Sequence, residues 1–173
     1  MELAFLPPEL RHLDETPAEV IACSVFDDER PPRGIAGLLD WRLAGRLGRL
    51  LESGFLRGAV DEVLLLPGRP RLVADKVLVF GLGPREQFDE NVFDRVVGAL
   101  LDRLEGLGAR SAIVELPGRQ AQRLAAEEAA DRFLSAVTVR DGSFDAFTLI
   151  ERPEDQKRVT QHMIEARRRL RRL

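Results

Sequence analysis

The sequence predicts an α/β protein, a three-layer α/β/α sandwich with a mixed, mostly parallel sheet. Short, fully apolar segments alternate along the chain with longer segments of helical periodicity. Strands that are apolar on both sides need cover on both faces, so helices must lie on both sides of the sheet. The predicted order, β-β-α-β-β-α-β-α-β-α, is not a strict βαβ repeat, and the sheet is therefore expected to be mixed.

Length and composition indicate one domain. The chain has 173 residues, of which 45% are hydrophobic and 32% are charged, as is typical of a soluble globular chain with a real core. No apolar run approaches the roughly 20 residues that a membrane helix needs, and Met1–Phe5 lacks the layout of a secretion signal. Cys23 is the only cysteine, which agrees with a reducing compartment. We expect a cytoplasmic protein that makes no membrane contact.

Proline, glycine and polar residues bound each predicted element. The strands are expected at Glu2–Leu6, Val20–Val25, Val63–Leu66, Lys76–Phe80, Ala112–Leu116 and Phe144–Ile150. The helices are expected at Leu38–Glu52, Asp89–Leu104 and Gln120–Leu134, with a last one from Pro153 to the chain end. Residues 1–152 are thus predicted to form the α/β domain, and residues 153–173 a basic amphipathic helix packed on it or extending from it.

The first long helix contains or follows three glycines, Gly37, Gly45 and Gly48. Each weakens a helix by roughly 1 kcal/mol relative to alanine. They would be tolerated if this helix lies close against the sheet.

No reactive cluster is evident in the sequence. A zinc site needs three or four ligands in a usable cluster, but His12 and His162 lie at opposite ends and there is one cysteine. Cys23 lies in an apolar strand and is expected to be inert core. The serines lack a nucleophile-elbow context, and Asp27–Glu29 is interpreted as a solvated acidic loop. The sequence predicts no catalytic residue, no metal and no cofactor.

The turn Gly81-Leu82-Gly83 follows a strand and precedes a helix, where a phosphate-binding loop would lie. The phosphate-loop pattern is incomplete, because Pro84 removes a backbone donor and Glu86 takes the place of the third glycine. A plain tight turn is the favoured interpretation.

The last segment, Lys157 to Leu173, differs in charge from the rest of the chain. It has seven basic residues and one acidic residue, a net charge of +6, so the other 156 residues carry −9. A helical apolar stripe also runs through it, formed by Val159, Met163, Ala166, Leu170 and Leu173. Such a stripe packs on the protein's own body or on a partner. A solvated arginine face on a packed helix is the favoured interpretation of the charge.

Three stretches together resemble the amino-terminal domain of leucine aminopeptidases. They are Arg33–Gly37 leading into a helix, Gly54–Gly58 followed by the strand to Gly68, and Lys76–Glu86 followed by a helix. The resemblance implies a macro-domain-like sandwich. It also implies that the chemistry of those enzymes belongs to their carboxy-terminal domain, whose zinc and catalytic motifs do not occur here, so no catalytic residue carries over and the chain is expected not to be an enzyme.

Macro domains bind ADP-ribose through glycine-rich loops and an early aspartate. Gly34, Gly37, Gly81 and Gly83 occupy comparable points, and the resemblance makes them candidate ligand-loop residues, although the ADP-ribose signatures themselves are missing. In leucine aminopeptidases the amino-terminal domain helps to shape hexamers and, in some bacterial members, contributes to DNA binding.

Three functions are compatible with these observations. The first is a non-catalytic interaction or regulatory module that engages a protein partner or itself. The second is a nucleotide- or ADP-ribose-binding domain with its cleft near Gly34 and Gly81. The third is nucleic-acid binding through the arginine-rich helix, which the acidic body and the lack of nearby aromatic residues disfavour. The candidate partner-binding residues are Met163, Arg167, Arg168, Arg169, Leu170, Arg171 and Arg172.

Overall fold

A computed structural model describes residues 1–140 and 142–170, and for residues 165–170 it describes the backbone without the side chains. Its centre is a six-stranded sheet in the order β1-β6-β5-β2-β4-β3. The strands are β1 (Glu2–Leu6), β2 (Val20–Val25), β3 (Val63–Pro67), β4 (Lys76–Gly81), β5 (Ser111–Val114) and β6 (Ala146–Ile150). The β3–β4 pairing is antiparallel, and the other pairings are parallel. The predicted mixed, mostly parallel sheet is confirmed.

Helices cover both faces of the sheet. They are α1 (Leu10–Glu15), α2 (Gly34–Arg42), α3 (Arg46–Glu52), α4 (Glu90–Gly106), α5 (Ala126–Thr138) and α6 (Pro153–Leu170). Alternate residues of β2 point to opposite faces: Ile21, Cys23 and Val25 pack with α1, α2 and α3, whereas Val20 and Ala22 pack with α4 and α5. All six residues of β2 are buried. The predicted three-layer sandwich follows from this double cover.

The predicted helix Leu38–Glu52 is wrong as one element, because it is broken into α2 and α3. Ala44 and Gly45 have φ angles of +56° and +74°, outside the helical region. The Asp40 carboxylate then accepts a hydrogen bond from the Gly48 amide at 2.9 Å, near the start of α3. The leucine periodicity continues through the break, since both short helices pack the same face against the sheet.

The predicted helix Gln120–Leu134 also begins in the wrong place. Arg119–Ala121 forms a single 3-10 turn, Gln122 has a φ of +52°, and α5 begins at Ala126. The predicted strand to Leu116 ends at Val114, and the chain turns away after it. These differences matter because the segment from Glu115 to Gln122 contributes to the candidate site. The short helix α1 was not predicted.

Helix α6 packs on α5. Val159 is fully buried against Ala126 and Ala130, and Met163 packs on the same cluster. His162 Nε2 lies 2.6 Å from Asp131 Oδ2, which adds a second tie between the helices. Val159 and Met163 therefore confirm the first part of the predicted stripe. Arg167, Arg168, Arg169 and Leu170 lie on the helix, without described side chains, and Arg171 and Arg172 lie outside the described residues.

Within residues 1–140 and 142–170, no helix has the length and apolar character needed to cross a membrane.

Candidate functional site

The carboxyl ends of the parallel strands meet at one edge of the sheet, where open α/β sheets place their ligands. The loop after β2 leads into α2 there, and the loops after β5 and β6 lie beside it. A cavity of about 180 Å³ opens between these loops. We call it the edge cavity, and it is lined by Pro8, Gly34, Glu115, Arg119, Gln120, Gln122, Ile150, Glu151 and Arg152.

One wall of the edge cavity is a buried cluster of ions centred on Arg119, which is 8% exposed. Its Nε and Nη2 donate to the two carboxylate oxygens of Glu151 at 2.7 and 2.8 Å, a bidentate geometry that is among the strongest for ion pairs. Nη2 also donates to Asp155 Oδ2 at 3.0 Å, and Nη1 donates to the Leu124 carbonyl at 2.6 Å. This cluster joins the loop after β5, the end of β6 and the first turn of α6.

Glu115 lies on the same cavity without such a partner. The residue is 6% exposed, and Oε1 accepts a long hydrogen bond of 3.4 Å from the Ile35 amide. Among the described residues, three buried oxygens have no hydrogen-bond partner: Glu115 Oε2, Gln120 Oε1 and Ser24 Oγ. The Gln120 amide is held at its other end, where Nε2 donates to the Ser24 carbonyl at 3.3 Å. The cavity wall thus carries unsatisfied acceptors.

Burial raises the pKa of Glu115 to about 8. The hydrogen bond from the Ile35 amide lowers that pKa, the charges of Glu29 and Glu151 raise it, and the charge of Arg119 lowers it. Desolvation dominates because the carboxyl has lost water without gaining a cation at contact distance. Glu115 is therefore a neutral acid at pH 7.

The titration of Glu115 gives a testable pH dependence of stability. Between pH 4.5 and about 8, the folded protein keeps a proton on Glu115 that the unfolded chain has released. The contribution of this proton to the free energy of unfolding is therefore complete below pH 4.5 and is lost as the pH rises to about 8. The slope is at most about 1.4 kcal/mol per pH unit. Urea denaturation across this range should show a flatter dependence for Glu115→Gln and an unchanged one for the exposed control Glu86→Gln. Equal slopes in wild type and Glu115→Gln would contradict the assignment.

Gly34 is the candidate ligand-loop glycine that lines the edge cavity. Its φ is +57°, and a Cβ atom there would lie 2.7 Å from Gln120 Cβ and 2.9 Å from Glu115 Oε1. Glycine is required both for the conformation and for this close approach. Gly37 is placed differently, because a Cβ atom there would meet the Pro32 carbonyl at 2.7 Å. It borders a separate shallow depression beside Trp41.

Gly81 and Gly83 lie against another part of the protein. The amides of Gly81, Leu82 and Gly83 donate to the carbonyls of Glu62, Val25 and Gly58 at 2.8–2.9 Å. A Cβ atom on Gly81 would lie 2.0 Å from the Ala59 carbonyl oxygen. The amides that a phosphate loop would offer to a ligand are used within the fold, which supports the interpretation of a tight turn.

Two features of the acidic residues differ from the sequence-based expectation. Glu29 was expected in a solvated loop, but it is 2% exposed, accepts from the Arg33 amide at 2.7 Å and lies 3.4 Å from Arg85 Nη2. Burial raises its pKa, and these contacts oppose the rise. Glu115 and Glu151 were not identified as site residues, although each directly follows an apolar strand.

In the part of the chain that the structure describes, no group of three or more His, Cys, Asp or Glu side chains could hold a metal ion.

A second surface runs along the edge strand β1. An apolar groove of about 600 Å³ lies between β1, α5 and α6, and we call it the β1–α6 groove. Met1 and Ile164 border it and are 60% and 46% exposed. Met163, a predicted partner-binding residue, also lines it. The complete lining is Met1, Leu3, Phe5, Leu134, Thr138, Thr160, Met163 and Ile164.

The fold of the chain is macrodomain-like. The macrodomain of Oceanobacillus iheyensis, in a mutant form, superposes with a TM-score of 0.73 at 12% identity, covering 96% of this chain and 93% of that one. The Trypanosoma brucei macrodomain in complex with ADP-ribose gives 0.69 at 18% identity, covering 92% and 68%. A mutant of tomato leucine aminopeptidase gives 0.67 at 14% identity, covering 94% of this chain and 35% of the enzyme. At these identities the likeness concerns the fold.

Sequence comparison narrows the class to one family. The profile of the cytosol aminopeptidase family, N-terminal domain, matches residues 23–148, and the chain belongs to this family. A probable cytosol aminopeptidase of Pseudomonas syringae pv. tomato is 28% identical over 122 residues, which are 70% of this chain and 25% of that protein. One from Halorhodospira halophila is 38% identical over 73 residues, 42% of this chain and 15% of the relative.

The chain therefore spans a quarter or less of the length of these curated relatives. The matched region is the N-terminal domain, and the catalytic domain is not covered. The resemblance noted in the sequence is confirmed.

Proposed function

We propose that this domain is a non-catalytic, cytoplasmic interaction module that associates with a second copy of the same chain through α6 and the β1–α6 groove. The observation that carries the proposal is an apolar groove at an open edge of the sheet, bordered by the helix that leads into the basic end of the chain. The names of the relatives, cytosol aminopeptidases, support the compartment.

The apolar residues that would form the interface belong to β1 and α6 or lie next to them. β1 and β3 are the two edge strands of the sheet, and edge strands are the usual sites of pairing with another chain. Met1 and Ile164 would be covered by a partner, as expected for exposed apolar side chains that are contiguous. Helix α6 is held against the domain, because Val159 is fully buried there.

The charges favour a second copy as the occupant. The segment from Lys157 to Leu173 carries +6, and the other 156 residues carry −9. The basic end of one copy and the acidic body of another therefore attract each other, and two-fold symmetry would use this contact twice. Such attraction weakens with salt. The acidic body also repels nucleic acid, which disfavours the arginine-rich end as a DNA-binding element.

The edge cavity does not favour ADP-ribose. Its volume of about 180 Å³ is below the roughly 300–1,000 Å³ of pockets that enclose drug-sized ligands. Glu115 and Glu151 line it, and the two arginines of the lining, Arg119 and Arg152, are already paired with carboxylates, so a pyrophosphate would have to compete for them. The amides of Gly81 and Gly83 are already used.

Removing residues 165–173 tests the proposal. The truncated protein keeps Val159 and Met163 of α6 packed against α5, so we expect its thermal unfolding temperature to change little. The mass measured by light scattering should fall to that of one chain. Replacing Arg167, Arg168, Arg169, Arg171 and Arg172 by glutamine should weaken association and reduce its salt dependence. Arg11→Gln, an 80% exposed residue on α1, is the matched control.

Full-length protein with the mass of one chain at low salt and at every concentration would overturn the proposal. Association that survives the truncation unchanged would show that residues 165–173 are not part of the interface. Binding of labelled DNA at low salt that disappears in the glutamine variant would instead support the nucleic-acid alternative.

A further inference from the structure

We propose that the edge cavity binds a small molecule through a primary ammonium group, with Glu115 as the counter-ion. Glu115 lines the cavity, is more than nine-tenths buried, and has an oxygen, Oε2, without a partner in the described residues. Gln120 lines the same cavity and has an unpartnered Oε1. Gln120 Cβ and Glu115 Oε1 would lie 2.7 and 2.9 Å from a Cβ atom on Gly34, so the two side chains are neighbours and could serve one guest.

The orientation of Gln120 makes this a site for hydrogen-bond donors. Its Nε2 donates to the Ser24 carbonyl, which can only accept, so the amide is fixed with Oε1 as the free end. Oε1 accepts only, and ionised Glu115 accepts only. An ammonium group carries three N–H donors and no acceptor, and it matches this pair of oxygens.

The charges around the cavity select a cation. The guanidinium of Arg119 is used by Glu151, Asp155 and the Leu124 carbonyl, and Arg152 is held by Asp155 at 2.9 Å. Arg152 also pairs with Glu154 at 3.5 Å, so both cations that line the cavity already have carboxylate partners. Glu115 has no cation at ion-pair distance among the described residues, so a bound ammonium would be its ion-pair partner.

Binding should be coupled to proton release. The charged or titratable groups that influence Glu115 are Glu29, Glu151 and Arg119, and the buried thiol of Cys23 feels its charge. Because burial raises the pKa of Glu115 to about 8, the acid is neutral at pH 7 and gives up its proton when the ammonium arrives. We expect close to one proton released per ligand at pH 7, and an affinity that rises by about tenfold per pH unit until Glu115 is ionised.

The volume of the cavity suits a guest with few heavy atoms. A volume of about 180 Å³ corresponds to roughly six water molecules. Methylammonium, ethanolamine and glycinamide fall within that limit.

Calorimetric titration of the full chain with methylammonium, ethanolamine and glycinamide tests the proposal, with ethylene glycol as an uncharged ligand of similar size. Wild type and the exposed-site control Glu86→Gln should bind at least one amine, and Glu115→Gln should bind it at least tenfold more weakly. Ethylene glycol should not bind. The absence of heat with every amine at millimolar concentration and pH 8 would overturn the proposal, as would equal binding by wild type and Glu115→Gln.

The proton count provides a readout that needs no variant. Titrations of wild type at pH 7 in buffers of different ionisation enthalpy give the number of protons released. A value near one supports Glu115 as the counter-ion, and a value near zero overturns it even if Glu115→Gln fails to fold.

Discussion

Replacing Arg119 by alanine is expected to destabilise the fold by about 3–5 kcal/mol, because removing one member of a buried ion pair leaves the other without compensation. Glu151, which is 5% exposed, pairs with Arg119 alone among the described residues, whereas Asp155, which is 2% exposed, keeps its pairs with Arg152 and Arg158. The loop after β5 would also lose the hydrogen bond from Arg119 to the Leu124 carbonyl. Urea denaturation of wild type and variant measures the change in the free energy of unfolding.

Arg11→Ala is the matched control for Arg119→Ala. Arg11 pairs with Glu15 at 2.9 Å, but both side chains are exposed, and such pairs contribute about 0–1 kcal/mol. A double variant, Arg119→Met with Glu151→Leu, should recover part of the stability that Arg119→Ala loses, since one of the stranded charges is then absent. A loss below about 1 kcal/mol for Arg119→Ala would show that the buried pair does not hold these loops together.

Replacing Gly81 by alanine is expected to cost about 3 kcal/mol or more, because overpacking at a site bounded by backbone cannot be relieved by a rotamer change. A Cβ atom at Gly81 would lie 2.0 Å from the Ala59 carbonyl oxygen and 2.6 Å from the Gly58 carbonyl carbon. The segment that it meets covers the end of β4, so this segment and the strand would have to separate. Thermal and urea denaturation measure the loss.

Gly98→Ala provides the comparison with Gly81→Ala. Gly98 lies within α4, and nothing lies within 4 Å of the position of its Cβ atom. Alanine there should stabilise the protein by about 0.5–1 kcal/mol, through helix propensity alone. The same substitution is thus expected to act in opposite directions at the two sites. A Gly81→Ala variant as stable as wild type would contradict the packing that the structure shows between β4 and Gly58–Ala59.

The sequence was sufficient to predict the sheet, because each buried strand is a short apolar run bounded by proline, glycine or polar residues. It was also sufficient for α4, whose predicted first residue, Asp89, is the N-cap and accepts from the Val92 amide at 2.9 Å. The break between α2 and α3 was not predictable from periodicity, since Leu39, Leu43 and Leu47 remain on one face across it. Ala44 and Gly45, with φ angles of +56° and +74°, end the helix without interrupting the apolar pattern.

The edge cavity was only partly predictable. Gly34 was a candidate because of its place in the family resemblance, and the structure puts it at the cavity. Arg119 contacts Glu151 and Asp155, which lie 32 and 36 positions further along the chain. The parallel pairing of β5 with β6 brings these residues together. Glu115 is a charged residue inside the apolar run predicted as a strand, and Glu151 directly follows another apolar strand, and these are the signals that could have indicated them. The partner-binding role assigned to the arginine-rich end stays a prediction.

The pairing of β1 with β6 has a consequence for how the protein is made. Glu2 lies opposite Ala146 and Leu6 opposite Ile150. β1 can therefore pair only after β6 has been synthesised, about 140 residues later. Until then, β1 has no neighbour in the sheet, and its apolar side chains are open to unwanted pairing. Contacts so distant in sequence slow folding. The ribosome must therefore release β6 before the sheet can close at this edge.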